Sequence, residues 1–187
     1  MKLTEKFNKA LSYAEKLHRE QKRKGTNIPY ISHLMIVSAI VLEYGGTEEE
    51  AIAALLHDAI EDQGGETTFK NIRSQFGKNI ASIVLECSDT WESPKPPWLA
   101  RKEHFIKSLK EKNSSSLLVS LADKTHNAEA ILSDYLDIGE EVWLRFNGGK
   151  EGTLWYYSEL SISFNKLLNG KLSQRLNKVV EKLISLG

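Results

Sequence analysis

One cysteine, four prolines and no surplus of either charge, with 25 Lys and Arg against 25 Asp and Glu, set the first limits on this 187-residue chain. The lone thiol, Cys87, has no intrachain partner and cannot build a Cys-rich zinc site; it fits a reducing compartment and reads as a small buried hydrophobe. Balanced charge removes any global pull toward nucleic acid or anionic lipid. No apolar run reaches the ~18 residues of a membrane span. Met1-Lys2-Leu3-Thr4-Glu5-Lys6 lacks the apolar stretch of a secretory signal, so the expected location is the cytoplasm. Phosphate-cradling glycine loops, G-x-G-x-x-G and G-x-S-x-G are absent too. Three of the four prolines crowd into Ser88–Pro97, which is read as a loop, and no Pro/Gly/Ser-rich linker divides the chain. A single domain over residues 1–187 is expected, with a motif-bearing core at about 7–132 and a helical extension at about 140–187.

What is present is helical periodicity. Phe7, Ala10, Leu11, Ala14 and Leu17 form one apolar face between Thr4 and Arg19. Pro29 argues for extended chain before a second helix over Ser32–Tyr44, which Gly45-Gly46 stops. Thr47 and Glu50 have the capping-box form, and the helix they open runs into six consecutive apolar residues, Ala51–Leu56, leaving it no wet face. Helices are expected over Thr67–Phe76, Lys78–Glu86, Trp98–Lys112 and Ser114–Ser133, and then through Leu168 and from Lys171 to Leu186. No alternating β-branched stretch is long enough for a sheet. The fold class is all-α, an irregular helical bundle.

Directly after the most apolar helix come His57-Asp58-Ala59-Ile60-Glu61-Asp62. On a continuous helix, i,i+4 pairs sit about 40° apart, so His57 would align with Glu61 and Asp58 with Asp62. Buried carboxylates need a cation or hydrogen bonds to offset desolvation, and a divalent metal would supply that. The bland alternative is the solvated last turn of a buried helix. His33, opening the second helix, and Asp123, just after the apolar run Leu117–Ala122, add further donors at the edges of buried elements. Two histidines and two carboxylates suit Mn²⁺, Fe²⁺ or Zn²⁺ with positions left for water; His33 alone would read as a cap or core histidine. Glu61 can then accept a proton from water and Asp62 can orient it. The basic pair Arg23 and Lys24 can meet phosphate, and Asn127 lies one turn beyond Asp123. Tyr156 can stack on a base and Lys150 can meet phosphate, although an aromatic stripe at helical spacing also suits a core. His18 and His104 read as surface or packing residues. His126 is expected to face away from the metal.

The order His33, His57-Asp58, Asp123 resembles the HD superfamily of metal-dependent phosphohydrolases. The stretches Arg23-Lys24-Gly25-Thr26, Pro29-Tyr30-Ile31-Ser32-His33, Ala53–Asp62, Phe76-Gly77, Arg101-Lys102 and Leu121–Asn127 are similar to the hydrolase domain of RelA/SpoT homologues, including stand-alone small alarmone hydrolases. That resemblance implies an all-α fold and a bound Mn²⁺, with Fe²⁺, Zn²⁺ or Mg²⁺ as alternatives. It implies removal of the 3′-diphosphate of (p)ppGpp, or of ppApp, as pyrophosphate. It further implies that His33, His57, Asp58 and Asp123 hold the metal, that Glu61 and Asp62 act on water, and that Arg23, Lys24 and Asn127 border the nucleotide. The expected partner is a small nucleotide, with no nucleic acid or membrane and with a homo-oligomer open.

Two departures stand out. The family's lysine shortly before the Arg-Lys pair is replaced by Pro97 and Trp98, with Lys95 close by. The tail Phe146–Tyr157 resembles bacterial HD proteins of unassigned substrate rather than the usual alarmone-hydrolase ending, where an Arg and a Tyr face the nucleotide. The competing readings are an HD-type nucleotidase or phosphodiesterase acting on another phosphate ester, and a non-catalytic nucleotide-sensing or scaffold module. A helix-turn-helix DNA binder is disfavoured by zero net charge.

Overall fold

The computed structural model describes residues 2–88, 90 and 94–186. It is all-α: α1 (Glu5–His18), α2 (Ile31–Glu43), α3 (Glu48–Leu56), α4 (Ala59–Asp62), α5 (Gly65–Phe76), α6 (Lys78–Cys87), α7 (Trp98–Ser108), α8 (Ser114–Ile138), α9 (Gly149–Leu167) and α10 (Lys171–Leu186). Short 3₁₀ segments, Leu109–Glu111 and Gly139–Arg145, precede and follow α8. Among the described residues there is no strand, only an isolated bridge between Lys22 and Pro29 that closes the loop before α2. Part of the proline-rich loop, residues 89 and 91–93, lies outside the described residues.

The two helices with apolar stretches through their middles, α3 and α8, are central ones. In α3 every residue from Ala51 to Leu56 is buried, and α1, α2, α6 and α8 all pack against it. Its start is fixed by the capping box: Thr47 Oγ1 accepts from the Glu50 N–H at 3.3 Å, and Glu50 Oε2 accepts from the Thr47 N–H at 2.6 Å. In α8, Leu117, Val119, Leu121 and Ala122 are buried, and the helix packs on α2, α3, α6 and α10. It runs five residues past Ser133, because the first stop signal is Gly139 at φ +63°, where the N–H returns to the Tyr135 carbonyl. α7 is shorter than its periodicity implies, giving way to the 3₁₀ turn at Leu109.

The segment 57–62 is not a continuation of α3. The His57 Nδ1–H donates to the Ala54 carbonyl at 2.8 Å, competing with the helical ladder, so α3 ends at Leu56 and α4 starts anew at Ala59. His57 and Asp58 therefore sit at a corner between helices, and the simple wheel alignment with Glu61 and Asp62 does not apply.

α9 and α10 pair through Leu160, Phe164, Leu172 and Leu176, and α10 also lies along α8. α7 reaches α9 through the Trp98 indole. A Cβ on Gly148 would stand 2.6 Å from Trp98 Cη2, so glycine there is favoured by close approach rather than by backbone angle, and one on Gly152 would be a tight 3.2 Å from the same atom. Among the described residues no helix is long and apolar enough to cross a membrane.

Phe164 is fully buried and Leu144 is 87% exposed. Phe164→Ala is expected to cost about 3–5 kcal/mol in urea unfolding, against less than about 0.5 kcal/mol for Leu144→Ala. Equal effects would contradict the packing described.

Candidate metal centre and adjoining cavity

Four side chains from three places converge behind α3. His33 comes from the first turn of α2, His57 and Asp58 from the corner after α3, and Asp123 from the middle of α8. His33 Nε2 lies 3.3 Å from Asp123 Oδ1 and 3.6 Å from Asp58 Oδ2; His57 Nε2 lies 3.0 Å from Asp58 Oδ2 and 3.5 Å from Asp123 Oδ1. Both imidazoles are at most 2% exposed. Despite these distances, among the described residues neither Nε2 has a partner in hydrogen-bonding geometry. Leaving buried polar atoms in that state is costly unless they face something else. The ligand atoms of His33, His57 and Asp58 lie within 4.8 Å of one another, close enough to share one ion. The donor set, two imidazoles and carboxylates, fits a borderline or hard divalent cation.

The electrostatics have the same sense. Burial opposes the charged form of His57, yet the carboxylates of Asp58 and Asp123 outweigh it and hold its pKa well above the usual imidazole value. Burial likewise opposes ionised Asp58 and Asp123, but His57 for the first, and Lys124 and then His57 for the second, hold both well below the usual carboxylate range. Without a metal, a proton on His57 thus occupies the electrostatic role of a cation between two carboxylates.

Other side chains brace the cluster. Tyr30 Oη donates to Asp58 Oδ2 at 2.6 Å, and Lys124 Nζ donates to Asp123 Oδ2 at 2.7 Å. Asn127 Nδ2 donates to Asp123 Oδ1 at 2.5 Å while its Oδ1 accepts from Arg23 Nη2 at 2.7 Å. A chain of contacts therefore runs from the cluster to the loop before α2.

Glu61 and Asp62 on α4 stand at the mouth. Lys95 Nζ lies 2.9 Å from Glu61 Oε1 and 3.8 Å from Asp62 Oδ1, and Arg101 Nη1 lies 3.9 Å from Glu61 Oε1. Lys95 thus reaches the carboxylates that flanking Pro97 and Trp98 cannot. Gln21 Nε2 donates to Asp62 Oδ2 at 2.8 Å. Burial, then the Asp58 charge, raises the Asp62 pKa above the ordinary value.

Asp58, Glu61, Asp62 and Asp123 border a small cavity of about 210 Å³ that shares Arg23, Tyr30, Lys102, Lys124 and Asn127 with a larger one of about 700 Å³. The larger cavity is lined by basic side chains on several walls: Lys22, Arg23 and Lys24 before α2, Arg101 and Lys102 on α7, Lys124 on α8, and Arg145. Aromatic surface comes from Trp98, Tyr156 and Tyr157, and Lys102 Nζ sits 5.0 Å over the Tyr156 ring.

The structure brings together His33, His57, Asp58, Asp123, Glu61, Asp62, Arg23, Lys24, Asn127 and Tyr156 around these two cavities. It does not bring Lys150, which lines neither and pairs with Glu140 at 2.9 Å. Lys150 lies in the first turn of α9, next to the 3₁₀ segment carrying Glu140. His126 corrects a second expectation. Its offset of about 300° from Asp123 equals about 60° the other way round the helix, and its Nδ1 lies 2.7 Å from Nδ1 of His33. Burial, then His33 and Arg23, lowers its pKa to about 4. His104 lines a separate cavity near Phe105, and His18 is buried, stacked on Tyr30. The unusual tail still presents an arginine and tyrosines, Arg145, Tyr156 and Tyr157, to the larger cavity. Tyr30, Gln21, Trp98, Lys102 and Lys124 carried no periodic signal as site residues; only the place of Tyr30 in a motif stretch, and of Lys102 and Lys124 beside singled-out neighbours, pointed to them.

The sequence profile of the family described as HD domain matches residues 10–144. Among curated proteins, the chain is 36% identical over 121 residues to the guanosine-3′,5′-bis(diphosphate) 3′-pyrophosphohydrolase MESH1 of Xenopus tropicalis, covering 63% of this chain and 65% of that protein. It is 34% identical over 121 residues to human MESH1, with the same coverage. It is 32% identical over 140 residues to the guanosine-3′,5′-bis(diphosphate) 3′-pyrophosphohydrolase of Aquifex aeolicus, covering 75% of this chain and 18% of that protein. The matched region thus spans slightly under two thirds of the first two relatives and about a fifth of the third. Among solved structures, one described as "A metazoan ortholog of SpoT hydrolyzes ppGpp and plays a role in starvation responses" superposes with a TM-score of 0.78 over 97% of both chains at 24% identity. That of lmo0812 from Listeria monocytogenes superposes at 0.72 over 82% of this chain and 99% of the other, at 25% identity.

The Tyr30 hydroxyl is the neutral donor on Asp58. Tyr30→Phe is expected to destabilise the metal-free protein by about 1–3 kcal/mol, seen as a lower urea midpoint with an unchanged slope. An unshifted midpoint would contradict the bond.

Proposed function

The chain belongs to the HD domain family, and from that premise we propose that it is a metal-dependent phosphohydrolase releasing pyrophosphate from the 3′-diphosphate of (p)ppGpp or ppApp. The carrying observation is the pair of buried Nε2 atoms, His33 and His57, that face carboxylates of Asp58 and Asp123 without hydrogen bonds. In this reading those four side chains hold a divalent cation, Mn²⁺ ahead of Fe²⁺, Zn²⁺ or Mg²⁺. When bound, the cation supplies Lewis acidity toward water and a phosphoryl oxygen. The names of the curated relatives support the substrate class.

Glu61 accepts the proton of the attacking water, and Asp62, held by Gln21, orients it. Water oxygen bonds to the phosphorus attached to O3′; the P–O3′ bond breaks, O3′ takes up a proton as a hydroxyl, and pyrophosphate departs. Arg23 and Lys24, with Lys102, Lys124 and Arg145, meet phosphate oxygens, and Tyr156 offers a face to the base. So many cations around one cavity suit a ligand with several phosphate groups. Its acids include Asp62 and Asp134, and Asp134 is already bound to Arg145 at 2.6 Å. Asn127 joins Arg23 to Asp123 and so links phosphate binding to the cluster. This is a cytoplasmic enzyme acting on a small nucleotide, not on nucleic acid.

The test is product identity. Purified protein with Mn²⁺ is incubated with ppGpp, pppGpp, ppApp and simple nucleotides, and pyrophosphate from the 3′-diphosphates is expected. Orthophosphate from simple esters alone would instead favour a nucleotidase, and no turnover of any candidate would leave a binding module. Asp58→Ala should lose both cation and turnover, whereas Glu61→Gln should keep the cation and lose about 10²–10⁴ in rate. Lys150→Ala, outside both cavities, should stay within about twofold.

A pH dependence follows from His57, whose raised pKa keeps it protonated at neutral pH in the metal-free protein. A ligand must be neutral, so cation binding displaces that proton; affinity should rise by about tenfold per pH unit until pH passes the His57 pKa. Mn²⁺ titration calorimetry from pH 6 to 8, in buffers of differing ionisation heat, reads both affinity and proton release. A flat profile would contradict the assignment.

A further inference from the structure

An imidazole that offers its Nε2 lone pair to a cation must carry its proton on Nδ1, and that proton needs an acceptor. For His57 the acceptor is the Ala54 carbonyl, which can only accept and so fixes the tautomer. For His33 the neighbour is another ring: Nδ1 of His126 lies 2.7 Å from Nδ1 of His33. Two ring nitrogens at that distance share one proton. If His126 were the donor, His33 would carry its own proton on Nε2, beside Asp123 Oδ1 at 3.3 Å and Asp58 Oδ2 at 3.6 Å. That N–H would be expected to turn onto one of these oxygens, yet His33 Nε2 makes no hydrogen bond among the described residues.

We propose that His126 is the positioning residue of His33, accepting its Nδ1–H and thereby aiming the Nε2 lone pair at the cation position. The inference rests on His33 being a ligand. The two rings also stack, with centroids 4.9 Å apart and planes at 28°, which resists rotation of the His33 ring. His126 sits three residues after Asp123 on α8, so one helix delivers a carboxylate to the cluster and the brace for an imidazole arriving from α2. His126 also lines the larger cavity, so it touches both that cavity and His33. Neither the periodicity of α8 nor the spacing of the metal motif assigns it this task.

Two measurements decide the matter. In metal-free protein labelled with ¹⁵N, long-range ¹H–¹⁵N correlation spectra should find His33 as the Nδ1–H tautomer; an Nε2–H tautomer overturns the proposal without any variant being made. Mn²⁺ affinity, followed by the electron paramagnetic resonance of free Mn²⁺, should weaken about 10–100-fold in His126→Ala and His126→Leu. His126→Asn places an amide oxygen near the lost Nδ1 and should recover affinity to within about threefold of the parent protein. Affinity unchanged in the Ala and Leu variants, or as weak in the Asn variant as in the Leu variant, overturns the role as acceptor. Thermal melts establish that each variant is folded. Should the parent protein bind no divalent cation, the ligand reading of His33 fails, while the His33 tautomer still judges His126 by itself.

Discussion

The site of this protein is arranged around two carboxylates, Asp123 buried and Asp58 only partly exposed. Ionised groups in a protein interior cost several kcal/mol each unless compensated, and Asp58 and Asp123 are compensated from every side. His57, the Tyr30 hydroxyl, Lys124 and Asn127 all touch them. Such a cluster cannot be supported by one helix. α2 brings an imidazole, the corner after α3 brings an imidazole and a carboxylate, and α8 brings the second carboxylate, so the packing of those three helices is a condition of the site. This gives a reason for the apolar run of α3 and the largely buried stretch Leu117–Ala122 of α8: buried helix segments leave their ends and edges in the interior, where a polar cluster is largely shielded from water.

Charge is graded outward from that centre. The small cavity is the more acidic, with Asp58, Asp123, Glu61 and Asp62 on its wall beside Arg23, Lys102 and Lys124, while the larger one is predominantly basic and partly aromatic. Lys95 and Arg101 bridge the two regimes by lying against Glu61. Under the proposed function, a ligand with several phosphates would be drawn by the cations of the larger chamber toward the acids of the smaller one. Local focusing of this kind needs no net charge on the molecule, and this chain has none.

The helices were legible because their signals are local. The Thr47–Glu50 capping box, the Gly45-Gly46 stop and the apolar face of α1 act within a turn or two of themselves, whereas α8 runs five residues past its expected end at Ser133. The convergence of His33, His57, Asp58 and Asp123 was foreshadowed because ionisable residues beside apolar runs demand an explanation. Less was readable where geometry depends on three dimensions. The break at His57 comes from a side chain competing for a carbonyl, which periodicity does not register. His126 is met by a helix nearly a hundred residues earlier in the chain, and Lys95 reaches Glu61 from the far side of a loop. Lys150 failed for the complementary reason: a cation near aromatic residues in sequence was claimed by Glu140, one segment away in space.

The indole of Trp98 resting on Gly148 and Gly152 has a consequence for inheritance. A methyl group on Gly148 would stand 2.6 Å from the indole and one on Gly152 3.2 Å from it, so a large aromatic at position 98 disfavours side chains at both positions, most strongly at 148. In descendants of this chain that trade the tryptophan for a slimmer residue, the restraint on the two glycines is eased, and because Trp98 itself lines the basic chamber the same change reshapes that wall. Diversification of ligand preference would then begin at this seat, leaving the ionic cluster untouched.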